Sequence, residues 1–362
     1  MSLFYIDEAD ELNELVQRMS KKQYEQSPGL YDDLPERAKK FMKRDFFYGI
    51  SYLKSAIDLK EEQIFVSYVR WTYEYLTYLM IYVTSEQMTK QCIDFYVAMS
   101  VCLKDELPSE DYEFAEICIQ KGIQEIERLY KEGFQRSEAA ENQGSEGKYN
   151  QIAAEYIAII LRKDSKEAMQ YFLKLYQGGM NIQDIYLEVV QKVMYKIGEL
   201  WFEKKISVAQ EHYCTALTQT AISQLYSTIF STPPNGHTMI GCCIGGELHE
   251  LGMRMITDLF TYAGWNSVFL GAGVPEEALI HTVKEEKADL IALSVTMPQH
   301  LILCKNIIKE LRSKAPDLKI AVGGKAFEDV PDIWREWNAD IYTTDARGLI
   351  QWAQTNILEK QI

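Results

Sequence analysis

Large apolar side chains recur at helical spacing through almost all of residues 1–134. Within 61–83, Phe65, Tyr68, Val69, Tyr75, Leu76, Leu79 and Val83 fall at helical steps, with Thr72 filling the one gap. That pattern predicts a helix with one broad buried stripe. After Pro108 the same rhythm places Tyr112, Ala115, Ile119, Ile123, Ile126 and Tyr130 on one face. An all-α domain is the expectation for 1–134. Its many Tyr and Phe residues suit an ordinary helical core, with a chromophore pocket as the alternative.

Residues 135–150, QRSEAAENQGSEGKYN, contain almost no large apolar side chain and read as a linker. Residues 151–232 then hold four helical patterns in quick succession. Asp164 and Glu167 have capping-box spacing, Gly178 and Gly179 stop the helix that follows, and Ser207 with Gln210 forms a second box. Between them Ile185, Val189, Val193 and Ile197 lie at four-residue steps. Short connections between long helices predict a four-helix bundle.

Past Pro233, Pro234 and Gly236 the period changes. Apolar strands at 238–245, 266–274, 288–297, 318–324 and 339–345 alternate with helical stretches starting near Gly252, Pro275, Pro298, Phe327 and Ala346. This βα alternation over 237–362 predicts a five-stranded parallel, Rossmann-like (flavodoxin-like) sheet with helices on both faces. The whole is a multidomain α plus α/β chain. A ligand of such a sheet sits at the carboxyl ends of the strands.

Composition narrows the function. With 53 acidic against 38 basic residues the formal charge is -15, which repels a phosphate backbone, so direct nucleic-acid binding is not expected. No apolar run approaches the ~20 residues of a membrane span, and the acidic start MSLFYIDEADELNEL is not a secretory signal, so a cytoplasmic location is expected. The seven cysteines show no CxxC pair and read as reduced core thiols.

The loop after the first strand, GGELHELG, lacks the glycine spacing of a dinucleotide fingerprint, which disfavours a nicotinamide cofactor. It offers Glu247 two residues before His249. A carboxylate bonded to one imidazole nitrogen fixes the tautomer and raises the basicity of the other, the usual arrangement behind a metal-bound histidine.

This loop resembles the DxHxxG motif of cobalamin-binding domains, which is followed by 41 residues, SxL or SxT, 26–28 residues and GG. Here the motif ends at Gly252, residues 253–293 intervene before Ser294-Val295-Thr296, and 297–322 precede Gly323-Gly324. The resemblance implies that His249 is the lower cobalt ligand, supported by Glu247. It also implies that the nucleotide tail of cobalamin passes Ser294 and Thr296 and lies over Gly323 and Gly324. The family aspartate is Glu247 here, one methylene longer, which implies a shifted loop or a weaker ligand.

The bundle adds Trp201, followed after nine residues by Glu211 and His212. That spacing resembles the four-helix cap of light-responsive, adenosylcobalamin-dependent repressors. The resemblance implies that Trp201 covers the adenosyl group, Glu211 contacts it, and His212 could become an upper ligand after photolysis. It covers about 150–362; residues 1–134 lack the repressors' DNA-binding arrangement. The expectation is a non-catalytic, cobalamin-dependent photosensory or ligand-sensing protein that works as a homo-oligomer and signals to an unknown protein partner. Adenosylcobalamin is the favoured form, with methylcobalamin or another tetrapyrrole such as a bilin as alternatives. The enzyme-class alternative is the corrinoid carrier subunit of a methyltransferase, since cobalamin carriers also combine a bundle with this domain.

Overall fold

The computed structural model describes residues 9–27, 29, 31, 36–133 and 147–358. They divide into two compact units. One comprises 1–135 with the segments 295–306 and 325–333, and the other comprises 136–294, 307–324 and 334–362.

In the first unit five helices carry the N-terminal part: α1 (Ala9–Gln26), α2 (Glu36–Leu59), α3 (Glu62–Leu79), α4 (Ser85–Leu103) and α5 (Ser109–Lys131). Their core holds Phe46, Leu53, Phe65, Val69, Met99, Ile119 and Ile126. The aromatics pack on one another, Phe46 on Phe95 at 4.0 Å and Tyr52 on Tyr68 at 4.2 Å between centroids. The long stripe expected over 61–83 is shorter than its spacing suggests. Helix α3 ends at Leu79, which is 50% exposed, and its buried residues are Ile64, Phe65, Tyr68, Val69 and Tyr73. A complete capping box of Thr84 with Gln87 starts α4 directly afterwards, so the chain turns where periodicity alone would continue. The expected linker lies outside the described residues from 134 to 146, and its last residues, from Lys148, already form helix α6.

The second unit begins with the bundle: α6 (Lys148–Leu161), α7 (Ser165–Gln177), α8 (Ile182–Asp184) continued by a π-helical turn (Ile185–Val190) into α9 (Gln191–Phe202), then α10 (Val208–Ile222) and α11 (Tyr226–Ile229). The π-turn follows from the sequence rhythm. Side chains four apart drift by about 40° per step in an α-helix, and a wider turn of about 4.4 residues rotates them back by about 30°. Ile185, Val189, Val193 and Ile197 are thereby all buried in one core. Each is worth about 1.5–3 kcal/mol relative to exposure. Ser207 and Gln210 form the expected reciprocal box. Asp164 accepts from the Glu167 N–H, but Glu167 does not complete the box, because its carboxylate pairs with Arg162.

The sheet consists of β1 (Thr238–Cys243), β2 (Asn266–Gly271), β3 (Leu290–Ser294), β4 (Lys319–Gly323) and β5 (Ile341–Tyr342), all parallel, in the order β2-β1-β3-β4-β5. The helical segments after the strands include α12 (Leu251–Tyr262), α13 (Glu276–Glu285), α14 (Leu301–Lys314), α15 (Ile333–Glu336) and α16 (Ala346–Ala353). The stretch after β4 is less regular than the expected helix near Phe327. A 3-10 segment (Lys325–Asp329) gives way at Pro331, which has no N–H to donate, before the short α15. All seven cysteines are buried, and none is joined in a disulfide. Among the described residues no helix is long and apolar enough to cross a membrane.

Polar contacts, one of them buried, tie bundle to sheet domain within this unit. The Tyr186 hydroxyl, on the π-turn, donates to Asp258 of α12 at 2.9 Å. Arg347, at the start of α16, reaches Asp184 at 2.8 Å and Glu188 at 3.3 Å, and holds the Asp184 carboxyl below its ordinary value. Burial pushes Asp258 up to about 6. A carboxyl raised on folding contributes its stability below its unfolded value near 3.8, and that contribution disappears as pH rises through about 6. Denaturation of the wild type is therefore expected to lose on the order of 1–3 kcal/mol between pH 4 and 6 relative to Asp258→Asn, at 1.36 kcal/mol per pKa unit. Parallel stability curves for the two proteins would contradict this.

Candidate functional site

The order β2-β1-β3-β4-β5 reverses direction between β1 and β3, which opens a crevice at their carboxyl ends. Register aligns the residues there. Cys243 is paired with Ser294, and Ser294 with Gly323, so the last residues of β1, β3 and β4 form one row. The Ile244 N–H extends that ladder to the Ser294 carbonyl at 2.9 Å. Gly245 then takes φ +83, a conformation an L side chain resists, and the chain leaves the sheet as the histidine loop. The loop is braced by the Gly273 N–H donating to the Gly245 carbonyl at 2.8 Å.

On this loop Glu247 is buried and His249 has 62% of its side chain exposed. Their closest approach, Nδ1 to Oε2, is 3.8 Å. The expected hydrogen bond is therefore replaced by a longer electrostatic contact. Even so, Glu247 raises the affinity of the imidazole for protons, against the opposing effect of desolvation. Glu211, on the first turn of α10, acts on His249 in the same direction.

The glycines of the motif differ in what demands them. A Cβ on Gly252 would meet no atom within 4 Å, so packing inside the chain does not require glycine there. A Cβ on Gly323 would stand 2.8 Å from the Thr343 carbonyl, so the fold itself excludes a larger residue. Gly324 has φ +96. Thr296 lies two residues beyond the end of β3 and is half-buried.

In the bundle Trp201 lies in the last turn of α9, half-buried against the apolar core, with the Lys204 ammonium 5.5 Å from its ring centre. Glu211 pairs with the exposed His212 and accepts from the Thr215 hydroxyl at 2.9 Å. The carboxylate is held from both sides. Sequence spacing did not reveal Gly241, in the middle of β1, where a Cβ would fall 2.4 Å from Thr257 Oγ1 and 2.9 Å from Met253 Sδ. A glycine inside a central strand was the available signal, since it marks close approach of another element. The Tyr186–Asp258 bond was also missed, because the two residues lie 72 positions apart.

The donor set suits a metal that arrives with most of its coordination filled. Among the described residues no group of three or more His, Cys, Asp and Glu could hold an ion. A single exposed imidazole over a buried carboxylate can supply one axial bond, and imidazole is a competent ligand for first-row transition metals. The loop and the row of small residues fit cobalamin in these respects.

Fold and site thus define a ligand-binding α/β domain beneath a helical cap. Two family models, each described as a B12 binding domain, match residues 238–347 and 152–226. The chain belongs to the B12-binding domain family and is a cobalamin-binding protein. It is 29% identical over 121 residues to the HTH-type transcriptional repressor CarA of Myxococcus xanthus, covering 33% of this chain and 41% of that protein. The chain therefore spans less than half the length of that relative. It is 32% identical over 110 residues to the glutamate mutase sigma subunit of Clostridium tetanomorphum, covering 28% of this chain and 77% of the subunit. Its fold resembles the monomethylamine corrinoid protein of Methanosarcina barkeri, with TM-score 0.50, 18% identity, and coverage of 57% of this chain and 98% of that one.

Proposed function

We propose that the protein is a cobalamin-dependent sensor, with adenosylcobalamin as its favoured form, that converts light or cofactor binding into altered cap packing and protein association. The observation that carries this reading is the pair of histidine–carboxylate contacts, His212 with Glu211 on the cap and His249 with Glu247 on the loop. Each side of the site carries a histidine whose basicity or orientation a carboxylate can set. The likeness to a transcriptional repressor supports regulation as the output. The bound group would supply a cobalt–carbon bond weak enough for visible light to break.

The chain's own residues do the rest. His249 holds the lower side and Glu247 keeps its ring electron-rich. Trp201 is only half-buried, so it can leave a bound upper group without dismantling the bundle core. Glu211 orients His212, which is exposed and offers a nitrogen donor on the cap side. Movement of a bulky cap residue is a local packing change with a wider readout.

The test is to load the full chain with adenosylcobalamin in darkness and illuminate it with green light. The expected result is a changed absorbance spectrum together with a changed elution volume on size exclusion. Trp201→Ala should alter adenosyl retention while the protein melts as the wild type does. An unchanged spectrum and elution volume would remove the sensory reading. The likeness to the glutamate mutase sigma subunit favours a second one, a cobalamin-carrying subunit of an enzyme such as a methyltransferase. Methyl transfer from the methylcobalamin-loaded chain in the presence of a companion methyltransferase would establish it.

A further inference from the structure

We propose that the N-terminal helical domain holds a ligand site of its own, for a small primary ammonium ion, built around Asp45 between α2, α3 and α4. All of its residues lie within the first compact unit, so the site stands apart from the cobalamin reading. Asp45 is half-buried on α2, and among the described residues no hydrogen bond or ion pair reaches its carboxylate. The neighbouring Arg44 does not supply one. Its guanidinium is exposed and lies over Phe41 and Tyr48, 4.9 and 5.9 Å from their ring centres. Burial pushes the Asp45 carboxyl up to about 6, against the pull of Arg44, so the group is mostly ionised at neutral pH.

The other groups around this carboxylate are neutral. Tyr68 of α3 and Cys92 and Tyr96 of α4 are buried. Burial, and to a lesser degree the Asp45 charge, makes all three less acidic, with Cys92 pushed up to about 12. Thr72 Oγ1, one turn beyond Tyr68, is buried without a hydrogen-bond partner, although Tyr68 and Tyr96 are both close enough to sense it. The surrounding walls are aromatic and tight. Tyr52 stacks on Tyr68, Phe46 stacks on Phe95, and a Cβ on Gly49 would fall 2.6 Å from Met99 Cε.

A charge held partly out of water without a partner is costly, and a cation entering beside it removes that cost. An ammonium group offers three N–H donors and no acceptor. Its needs match one carboxylate and the hydroxyl oxygens of Thr72, Tyr68 and Tyr96, while the aromatic walls suit a short alkyl substituent and a positive charge. A hard divalent ion is a poor match, because it takes about six to eight oxygen ligands and Asp45 is a lone carboxylate here. An anion would be repelled.

The experiment titrates the full chain with methylammonium chloride, followed by saturation-transfer NMR, in about 0.5 M sodium chloride so that attraction to exposed acidic side chains is screened. Saturation is expected in the millimolar range, near the ceiling for a ligand of so few atoms. Asp45→Asn should weaken binding by at least about tenfold, the usual cost of a hydrogen bond to a charged group, and Tyr96→Phe, which keeps the ring, by about two- to tenfold. Tetramethylammonium, which has the charge but no N–H to donate, should bind at least about tenfold more weakly. In the wild type, affinity should fall as pH drops from 7 to 5, because Asp45 takes up a proton near 6 while Tyr68, Cys92 and Tyr96 stay neutral and Arg44 stays charged. Should Asp45→Asn fail to fold, the pH series and Tyr96→Phe decide alone. No saturable signal from the wild type, an affinity that neither the substitutions nor lower pH reduces, or tetramethylammonium binding as well as methylammonium would overturn the proposal.

Discussion

Replacing His249 by alanine is expected to abolish lower coordination and weaken cobalamin binding by more than the ~10–100-fold that loss of a supporting residue typically costs a metal site. Among the described residues no cluster of three or more His, Cys, Asp and Glu stands ready to hold the metal in its place. The change exposes no core, because His249 is on a surface loop with most of its side chain in solvent. Folding should therefore survive, and the loss should register in the absorbance spectrum as a shift from histidine-bound to base-free cobalamin. An identical spectrum for His249→Ala would show that another group binds the metal. The companion variant Glu247→Gln separates the two parts of the motif. It keeps the imidazole and removes the charge that raises its basicity, so affinity should fall within the ~10–100-fold range and coordination should persist.

Gly241→Val is expected to produce the largest loss of stability from a single added side chain in the sheet domain. Helix α12 approaches β1 so closely that even a Cβ falls 2.4 Å from Thr257 Oγ1 and 2.9 Å from Met253 Sδ. Thr257 has little freedom to move, since its hydroxyl already donates to the Met253 carbonyl at 2.9 Å. Overpacking of this kind usually costs about 1–3 kcal/mol, and two branches added at a clash against a helix should reach or exceed the top of that range. Helix α12 begins two residues after His249, so displacing it should also disturb the histidine loop. Urea denaturation with cobalamin titration checks both effects. A stability within about 0.5 kcal/mol of wild type, the range of neutral surface substitutions, would show that α12 yields freely.

The legible part of the molecule was the part governed by short-range rules. Alternation of strand and helix predicted the five parallel strands, and caps such as Ser207 with Gln210 marked helix starts to the residue. Motif spacing singled out His249, Ser294 and Gly323, and strand register then put Ser294 beside Gly323. The rest depended on tertiary contacts. Periodicity ran α3 on past Leu79 because nothing local says that the next turn lies outside the core. Glu167 has capping-box spacing, yet a nearby arginine competes successfully for its carboxylate. The 3.8 Å separation of Glu247 from His249 depends on where one extra methylene takes the carboxylate inside a folded loop. The bonds Ser67–Asp329 and Tyr186–Asp258 join residues 262 and 72 positions apart, and no pattern in a single sequence announces them.

The π-helical turn at Ile185–Val190 makes the heading of Trp201 a matter of counting. Each residue of an α-helix advances the chain by about 100° and 1.5 Å, so the wider turn amounts to one residue held in reserve. If that reserve were spent by winding the turn as ordinary α-helix, its backbone bonds would pass from i→i+5 to i→i+4 partners and α9 would swivel by roughly a quarter of a revolution. The compass bearing of the aromatic ring at the far end of α9 is thus fixed upstream, in the same turn whose tyrosine is bonded to Asp258.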